Sequence, residues 1–310
     1  MTKPEWNDTL FKKVSMPDSI REFADYMYTP FDLNILAETD EQGFVVKKYR
    51  RSWLEHLWRR GILDKVEENG EARYRAADVC TRLESFIVLE KAYWLSLPQE
   101  VRDAINGRYI MNPDIWLPRH IARGRAYTET ILPLEDCIHI IEESYCGYGY
   151  LAECNCNNYI GGCDRDKYQI CVHFPEKEAS PNCPDGRGLS KRVGKEELIE
   201  AMRHADRQGL VHKLGGTGRN FCNCCSCCCI HHHNAEKYEA ALRETLLQTP
   251  YVIAVDKEKC IGCGACMRQC QFDVLSLKDK KIHVDSEKCW GCGVCRAKCP
   301  TGALQIQRRG

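Results

Sequence analysis

The first third of the chain places hydrophobic residues at helical spacing, and one alternating segment interrupts them. A helical stripe within 51–60 consists of Trp53, Leu54, Leu57 and Trp58, and Gly61 directly after it is a typical C-terminal cap. Residues 62–76 alternate around Asn69-Gly70, the strongest short signal for a β-hairpin. A helix followed by a hairpin is the outline of a winged-helix unit. Further helices are expected over 79–97 and 98–105, with a core of Leu83, Phe86, Leu89 and Trp94.

The middle of the chain, 111–250, alternates predicted helices with cysteine-bearing loops. One helix begins at Pro133 and carries a stripe of Leu134, Cys137, Ile138 and Ile141, in which we interpret Cys137 as a packing residue. Two more helices are expected over 195–207 and 235–248. The long loop 154–190 is rich in Gly, Pro, Asn and Asp, and loops of that length inside a compact domain usually have a binding or catalytic function. Bound metal is the expected scaffold there.

The last segment, 251–310, contains an internal duplication. The sequence from Asp256 repeats at Asp285, an offset of 29 residues, and each copy ends in a predicted strand, 274–277 and 303–306. The chain is therefore predicted to be α+β and multidomain. We expect a winged-helix-like domain over 1–110, a cysteine-rich, metal-binding helical domain over 111–250 and a ferredoxin-like domain, a duplicated βαβ unit, over 251–310.

Cysteine usage decides the class of chemistry. The chain has 22 cysteines, all but one of them from Cys137 onward, and a segregation of this kind is typical of metal sites. No leader or long apolar run is evident, so we expect a cytoplasmic, reducing setting in which clustered thiols bind metal or work in redox chemistry. The 44 basic and 44 acidic residues balance, so the net charge gives no bias toward nucleic acid or an anionic membrane surface. With no long apolar run, we also expect no membrane insertion.

The duplicated segment carries the most specific motif. It contains C-x2-C-x2-C-x3-C twice, a two-cluster pattern in which the fourth cysteine of each run ligates the cluster of the other run. One [4Fe-4S] cluster is then predicted on Cys260, Cys263, Cys266 and Cys299, and the other on Cys289, Cys292, Cys295 and Cys270. Zinc, which also suits paired C-x2-C runs, is the rival. Gln271 stands where this pattern usually has proline.

Two further groups of cysteines lie in the middle region. The first, a candidate third cluster with zinc as the alternative, is Cys154, Cys156, Cys163 and Cys171; Cys146 and Cys183 flank it and could replace a member. The second, a subset of which could bind a further metal centre, is Cys222, Cys224, Cys225, Cys227, Cys228 and Cys229. If that stretch starts a helix, 224, 227 and 228 share one face and 222, 225 and 229 share another. His231, His232 and His233 could supply a ligand, although we interpret them as a solvated run.

The C-terminal motifs resemble a two-[4Fe-4S] bacterial-type ferredoxin domain. The chain as a whole resembles multi-cluster iron-sulfur proteins of anaerobes that combine a winged-helix-like region with a cysteine-rich middle. The shared features are "LPLED" at 132–136, Cys154 and Cys156, "GLVH" at 209–212 and "FCNCCSCCC" at 221–229. This resemblance implies electron transfer through several clusters, usually beside a larger redox enzyme. His212 belongs to a shared feature, and we interpret it as a capping or packing residue.

Three functions follow as hypotheses. The first is an electron carrier, or the electron-transfer subunit of an oxidoreductase, that relays electrons between a low-potential donor and a larger partner enzyme. The second is a reductase with a catalytic metal centre at Cys222–Cys229, fed by the ferredoxin domain; no acid, base or nucleophile set is recognisable for it. The third is a redox-sensing regulator that reads DNA with its winged helix, although Trp53 and Trp58 make the supposed reading helix more core than groove-facing.

Overall fold

The computed structural model describes residues 5–112, 114, 128–143, 147–161, 163–166, 169–175, 180–216, 218–230, 232 and 247–309. The chain divides into two compact units. Unit 1 comprises residues 1–113, 158–160 and 176–191, and unit 2 comprises 114–157, 161–175 and 192–310. Most of the middle segment therefore shares one unit with the ferredoxin-like segment, while its residues 158–160 and 176–191 belong to unit 1. The division of the sequence into three domains stays a prediction.

Unit 1 is mainly helical. Its helices are α1 (Asp8–Lys13), α2 (Ala24–Met27), α3 (Pro30–Ala37), α4 (Arg51–Arg59), α5 (Val79–Leu89), α6 (Lys91–Ser96) and α7 (Gln99–Ile105). Asn7 and Asp78 cap α1 and α5 by accepting backbone N–H groups, and Thr29 opens α3 in a capping box. These caps explain why the helices begin where they do, since the first N–H groups of a helix have no partner inside it.

The predicted helix and hairpin of unit 1 are both present. After α4, Gly61 takes a φ of +71°, and strands β1 (Leu63–Glu68) and β2 (Glu71–Ala76) pair antiparallel across Asn69-Gly70. Both turn residues have positive φ, as a two-residue hairpin turn requires. This is the helix-then-hairpin order of a winged helix, and that name for the unit remains a prediction.

Most of the predicted core of unit 1 is confirmed. Leu83, Phe86 and Trp94 are buried, and the Trp94 indole donates to the carbonyl of Asn158 over 2.9 Å. The prediction for Leu89 is wrong, because its side chain is 42% exposed. Leu89 is the last residue of α5, and the chain turns directly after it so that the Glu90 carboxylate can contact Arg60 and Arg82.

Unit 2 contains a seven-stranded sheet with the strand order β6-β4-β5-β8-β7-β3-β9. The strands are β3 (Glu129–Leu132), β4 (Tyr148–Ala152), β5 (Cys171–His173), β6 (Ser190–Gly194), β7 (Val211–Leu214), β8 (Asn220–Cys224) and β9 (Leu247–Gln248). The prediction that the middle region is helical is therefore wrong, because it contains this sheet. Its strands are short, and two of them carry cysteine where a strand usually shows Val or Ile, so the sequence pattern does not reveal them.

Helices cover one face of this sheet. Among the described residues, the helices of the middle region are α8 (Leu134–Glu143), α9 (Asn155–Ile160) and α10 (Lys195–Arg207). Cys137 and Ile141 from α8 and Leu198 and Met202 from α10 form one apolar core with Phe221 of β8, so the packing role predicted for Cys137 is confirmed. The helix predicted over 235–248 lies outside the described residues up to 246, and 247–248 form β9 instead.

The C-terminal segment forms two antiparallel pairs. Strands β10 (Tyr251–Val255) and β13 (Leu304–Arg308) pair with each other, as do β11 (Leu275–Lys278) and β12 (Lys281–Val284). A short helix, α11 (Ala265–Gln269), and a turn of 3-10 helix at Arg296–Lys298 lie within the two cysteine runs, each directly before the fourth cysteine of its run. The two predicted strands are confirmed with a shift of one residue at their starts. Among the described residues, no helix has both the length and the apolar character needed to cross a membrane.

Candidate metal centres

The first ferredoxin-type site is a cavity of about 300 Å³. Its lining includes Cys260, Cys263, Cys266 and Cys299, which are the four residues predicted to share a cluster. Backbone N–H groups approach the sulfurs, with Ala303 N 3.2 Å from Cys299 Sγ and Ile282 N 3.5 Å from Cys260 Sγ. Burial opposes ionisation of Cys299, but hydrogen bonds from Thr301 and from backbone N–H groups lower its pKa overall. These donors stabilise negative charge on sulfur, as a cluster ligand requires.

The second site is a cavity of about 380 Å³ in the other half of the duplication. Its lining includes Cys270, Cys289, Cys292 and Cys295, the second predicted set. Burial raises the pKa of Cys292 to about 12 and also raises that of Cys295. Buried thiols of this kind become thiolates when a cation neutralises them, and four of them around each cavity fit a [4Fe-4S] cluster.

Glycines let the chain wrap these cavities. Gly262 has a φ of +68°, and a Cβ there would lie 2.2 Å from the carbonyl oxygen of Lys280. Gly291 has a φ of +56°, and a Cβ there would lie 2.4 Å from the backbone of Tyr251. Both positions need a residue without a side chain because of backbone conformation and close approach together.

The opposite side of the seven-stranded sheet from α8 and α10 carries thiols. Successive side chains of a strand point to opposite faces, so Phe221 and Asn223 of β8 face the helices while Cys222 and Cys224 face away. In the neighbouring strand β5, Cys171 lies beside Cys222, since Val172 pairs with Phe221. The alternation of side chains along strand β8, and not a helix, therefore decides which way Cys222 and Cys224 point. The hypothesis that 222–229 starts a helix is wrong.

Six thiols form a closed ring on this face. Cys154 contacts Cys156 and Cys171, Cys222 contacts Cys171 and Cys224, and Cys229 contacts Cys224 and Cys156. We call Cys154, Cys156, Cys171, Cys222, Cys224 and Cys229 the six-thiol ring. Three members of the predicted third cluster are in it, joined by three members of the cysteine stretch.

A buried ion pair adjoins the six-thiol ring. Lys213, fully buried and paired in register with Cys222, donates to Cys229 Sγ over 3.3 Å and forms an ion pair with Glu129. Burial by itself would lower the pKa of Lys213, but Cys224, Cys229 and Glu129 raise it well above its usual value. Burial also opposes ionisation of Cys229, yet hydrogen bonds from Cys156 and Cys224 and the charge of Lys213 leave its pKa well below its usual value. Lys213 thus places a buried positive charge beside the ring, where it stabilises thiolates.

The remaining cysteines of the stretch form a separate group. The sulfurs of Cys163, Cys225, Cys227 and Cys228 all lie within 4.8 Å of one another. We call these residues the four-thiol group. The structure thus separates Cys163 from Cys154, Cys156 and Cys171, and it divides the six cysteines of 222–229 equally between the two groups.

Other predicted candidates are placed as follows. Cys183 belongs to unit 1, and Cys146 lies outside the described residues. His231 and His233 also lie outside them, whereas His232 is buried and its ring centroid is 5.2 Å from that of Phe272, so the solvated run is wrong for His232. His212 is confirmed as a packing residue, since it is fully buried and its Nδ1 is 2.6 Å from Asn223 Oδ1.

Gln271 connects the ferredoxin-type segment to the four-thiol group. Its side-chain oxygen accepts from the N–H of Ser226 over 2.7 Å, and its amide nitrogen donates to the carbonyl of Gly209. Ser226 lies between Cys225 and Cys227, and Gln271 directly follows Cys270. The residue that departs from the usual proline therefore ties two cysteine-rich segments together.

No sequence signal pointed directly to Lys213 or Glu129, because lysine and glutamate in short segments are usually surface residues. The position of Lys213 opposite Cys222 becomes informative only when the strand register is known. Gln271 did carry a signal, since it breaks the motif at a defined position.

One comparison with known proteins agrees with this geometry. The family model of the 4Fe-4S dicluster domain matches residues 259–303, which include both predicted ferredoxin-type sets of cysteines. No curated protein matches the chain. The chain thus contains a ferredoxin-type iron-sulfur domain, and this domain supports an iron-sulfur electron-transfer role.

Proposed function

We propose that the protein relays single electrons between a low-potential donor and a partner oxidoreductase through at least three iron-sulfur clusters. The observation that carries the proposal is the pair of thiol-lined cavities within 259–303. A [4Fe-4S] cluster supplies reversible one-electron transfer there, and its potential depends on hydrogen bonds to sulfur and on burial. The protein's own contribution is to hold the four thiolates and to supply those hydrogen bonds.

The first cavity is the proposed point of exchange with the partner. Its ligand Cys263 is exposed, and the neighbouring Ile261 is 63% exposed. An exposed apolar residue beside an accessible cluster suits the small, transient interfaces of electron-transfer partners.

The second cavity faces the sheet of the same unit. Its ligand Cys292, together with Val294 and Trp290, packs against Ile131 of β3 and Val211 of β7. Ile131 pairs in register with Lys213, and Val211 pairs with Cys224, so this apolar contact adjoins the six-thiol ring on the same face of the sheet. Electrons would pass from the first cavity to the second and then towards the ring.

The six-thiol ring is the proposed site of the third cluster. Four thiolates saturate one cube, and the ring offers two more than that. The fixed charge of Lys213 offsets part of the negative charge that a thiolate-ligated cluster carries. The ring takes the place of the set Cys154, Cys156, Cys163 and Cys171, because Cys163 lies elsewhere.

Metal and sulfide analysis of anaerobically purified protein tests the proposal. We expect about eight irons per chain from the ferredoxin-type domain and about four or more from the ring, with paramagnetic clusters after reduction. Cys156→Ser and Cys222→Ser should remove only the iron of the ring, and Cys80→Ser in unit 1 is the matched control. Protein that is colourless, paramagnetically silent after reduction and loaded with zinc would refute the electron-transfer proposal.

A further inference from the structure

The four-thiol group differs from the ferredoxin-type sites in the spacing of its sulfurs. Cys225 Sγ lies 3.7 Å from Cys163 Sγ, 2.9 Å from Cys227 Sγ and 3.3 Å from Cys228 Sγ, and all four sulfurs fall within 4.8 Å. The two ferredoxin-type sets instead line pockets that contain about 300 and 380 Å³ of non-atom space, part of it open to solvent. The ferredoxin-type cysteines therefore line pockets, whereas the sulfurs of the four-thiol group lie close together.

Tetrahedral geometry gives the expected spacing around one ion. With a metal–sulfur distance of about 2.3 Å, the sulfurs of a tetrahedral site lie about 3.8 Å apart. The three separations from Cys225 Sγ, 2.9–3.7 Å, are below that value, and all six separations are within 4.8 Å. The four thiolates of a cubane must instead stand further apart, since each binds a different corner of a cube that lies between them. The spacing therefore favours one ion over a cluster.

We propose that Cys163, Cys225, Cys227 and Cys228 bind a single divalent ion in tetrahedral thiolate coordination, either zinc or ferrous iron. The four thiols release their protons to solvent as the ion binds, which leaves a site with a net charge of −2. This site is separate from the iron-sulfur clusters of the proposed function, and it does not depend on them.

The surroundings suit a closed site of this kind. Three ligands come from one tight turn after β8, in which the N–H of Cys229 donates to the carbonyl of Cys225 over 3.2 Å. Gln271 holds the N–H of Ser226 inside the same turn. The Arg165 guanidinium is 4.0 Å from Cys227 Sγ, and a second bond from Arg165 to the carbonyl of Gln208, 3.2 Å long, fixes that side chain. A cation held beside the sulfurs offsets part of the negative charge of the loaded site.

The fourth ligand, Cys163, would let the ion connect two distant segments of the chain. Cys163 comes from the loop between α9 and β5, and the turn ligands follow it by more than 60 residues of chain. A closed four-cysteine ion joins two such segments covalently through the metal and contributes folding free energy. We therefore expect the ion to fix 163–166 against the turn.

Metal counting on single variants of the full chain tests the proposal. Cys163→Ser and Cys227→Ser are the test variants, because Cys227 is exposed and its exchange should be tolerated. Cys80→Ser is the control. Zinc, iron and acid-labile sulfide are measured per chain after anaerobic purification. We expect each test variant to lose about one metal ion and no sulfide, with the visible absorbance of the clusters retained, and the identity of the lost ion distinguishes zinc from iron.

Two outcomes would overturn the proposal. Loss of about four irons with four sulfides would show a cubane at these residues, and no loss of metal in either variant would show no site. If the variants do not fold, the wild-type protein still decides the question. A zinc ion should show four sulfur neighbours near 2.3 Å by X-ray absorption, and a ferrous ion should show a high-spin tetrathiolate signal by Mössbauer spectroscopy. Absence of both signals contradicts the assignment. Failure of the electron-transfer proposal would instead appear as missing iron and sulfide in wild-type protein.

Discussion

Replacement of Lys213 by methionine tests the role of the buried charge beside the six-thiol ring. Methionine keeps much of the length of the lysine side chain but removes its ammonium group. Lys213 is fully buried, and its Nζ contacts both Glu129 and Cys229. After the change, the Glu129 carboxylate stays on the same face as the thiols and loses the cation that compensates it.

The expected loss of stability is large. Removing one partner of a buried ion pair costs about 3–5 kcal/mol. An independent figure comes from the 3.3 Å between Nζ and the sulfur of Cys229, at which opposite unit charges interact by about 5 kcal/mol with an effective dielectric constant of 20. For a domain of the size of unit 2, each kcal/mol lowers the unfolding midpoint by about 2–4 °C, so the midpoint should fall by about 6–20 °C.

The assay is anaerobic thermal unfolding, followed by the loss of the visible absorbance of the clusters. The matched variants are Glu129→Gln and the double variant Lys213→Met/Glu129→Gln. The double variant should recover most of the loss, because it removes both charges together. In addition, the reduction potential of the proposed cluster in the ring should fall in Lys213→Met, since a nearby cation favours the reduced state. A midpoint within 2 °C of the wild type, with an unchanged potential, would show that the Lys213 charge is not coupled to the ring.

Three further predictions concern other contacts. Gln271→Ala should lower the free energy of unfolding by about 1–3 kcal/mol and increase hydrogen exchange at the amide of Ser226. Gln305→Ala, at an exposed position, should change neither quantity. Equal exchange at Ser226 in both variants would contradict the contact between Gln271 and Ser226. Gly61→Ala should lower the free energy of unfolding in urea by about 2–4 kcal/mol, and Gly70→Ala should lower it by about 1 kcal/mol. Both glycines have positive φ, but only at Gly61 would a Cβ meet backbone, 2.6 Å from the Thr81 carbonyl oxygen. Similar losses in the two variants would argue against this clash. Burial opposes ionisation of Glu90, but bonds from Arg82 and Arg60 lower its pKa below the usual 4.5, so its stabilisation is present above pH 4.5 and is lost as the pH falls through the lower folded value. The advantage of wild type over Glu90→Gln, about 1–3 kcal/mol at pH 7, should therefore shrink below pH 4.5, and an advantage that persists in acid would refute the assignment.

Local sequence signals determined the elements with strong short-range chemistry. Asn69-Gly70 predicted the hairpin because few other dipeptides accept two positive φ angles, and the stripe of Leu198, Ile199, Met202 and Ala205 predicted α10. The repeated cysteine spacing predicted the ferredoxin-type domain, because cluster ligands within one tight loop are fixed by sequence distance.

Only the tertiary structure decided how the middle cysteines are grouped. Cys154, Cys156 and Cys171 join Cys222 through strand pairing, while Cys163 joins a turn that lies far along the chain. Strand register is a long-range property, and a shift of one residue would turn Cys222 and Cys224 towards the helices. The same register brings Lys213 to the thiols. The sequence alone therefore predicted metal binding by thiols, and the pairing of distant strands decided which thiols can share a centre and which buried charge accompanies them.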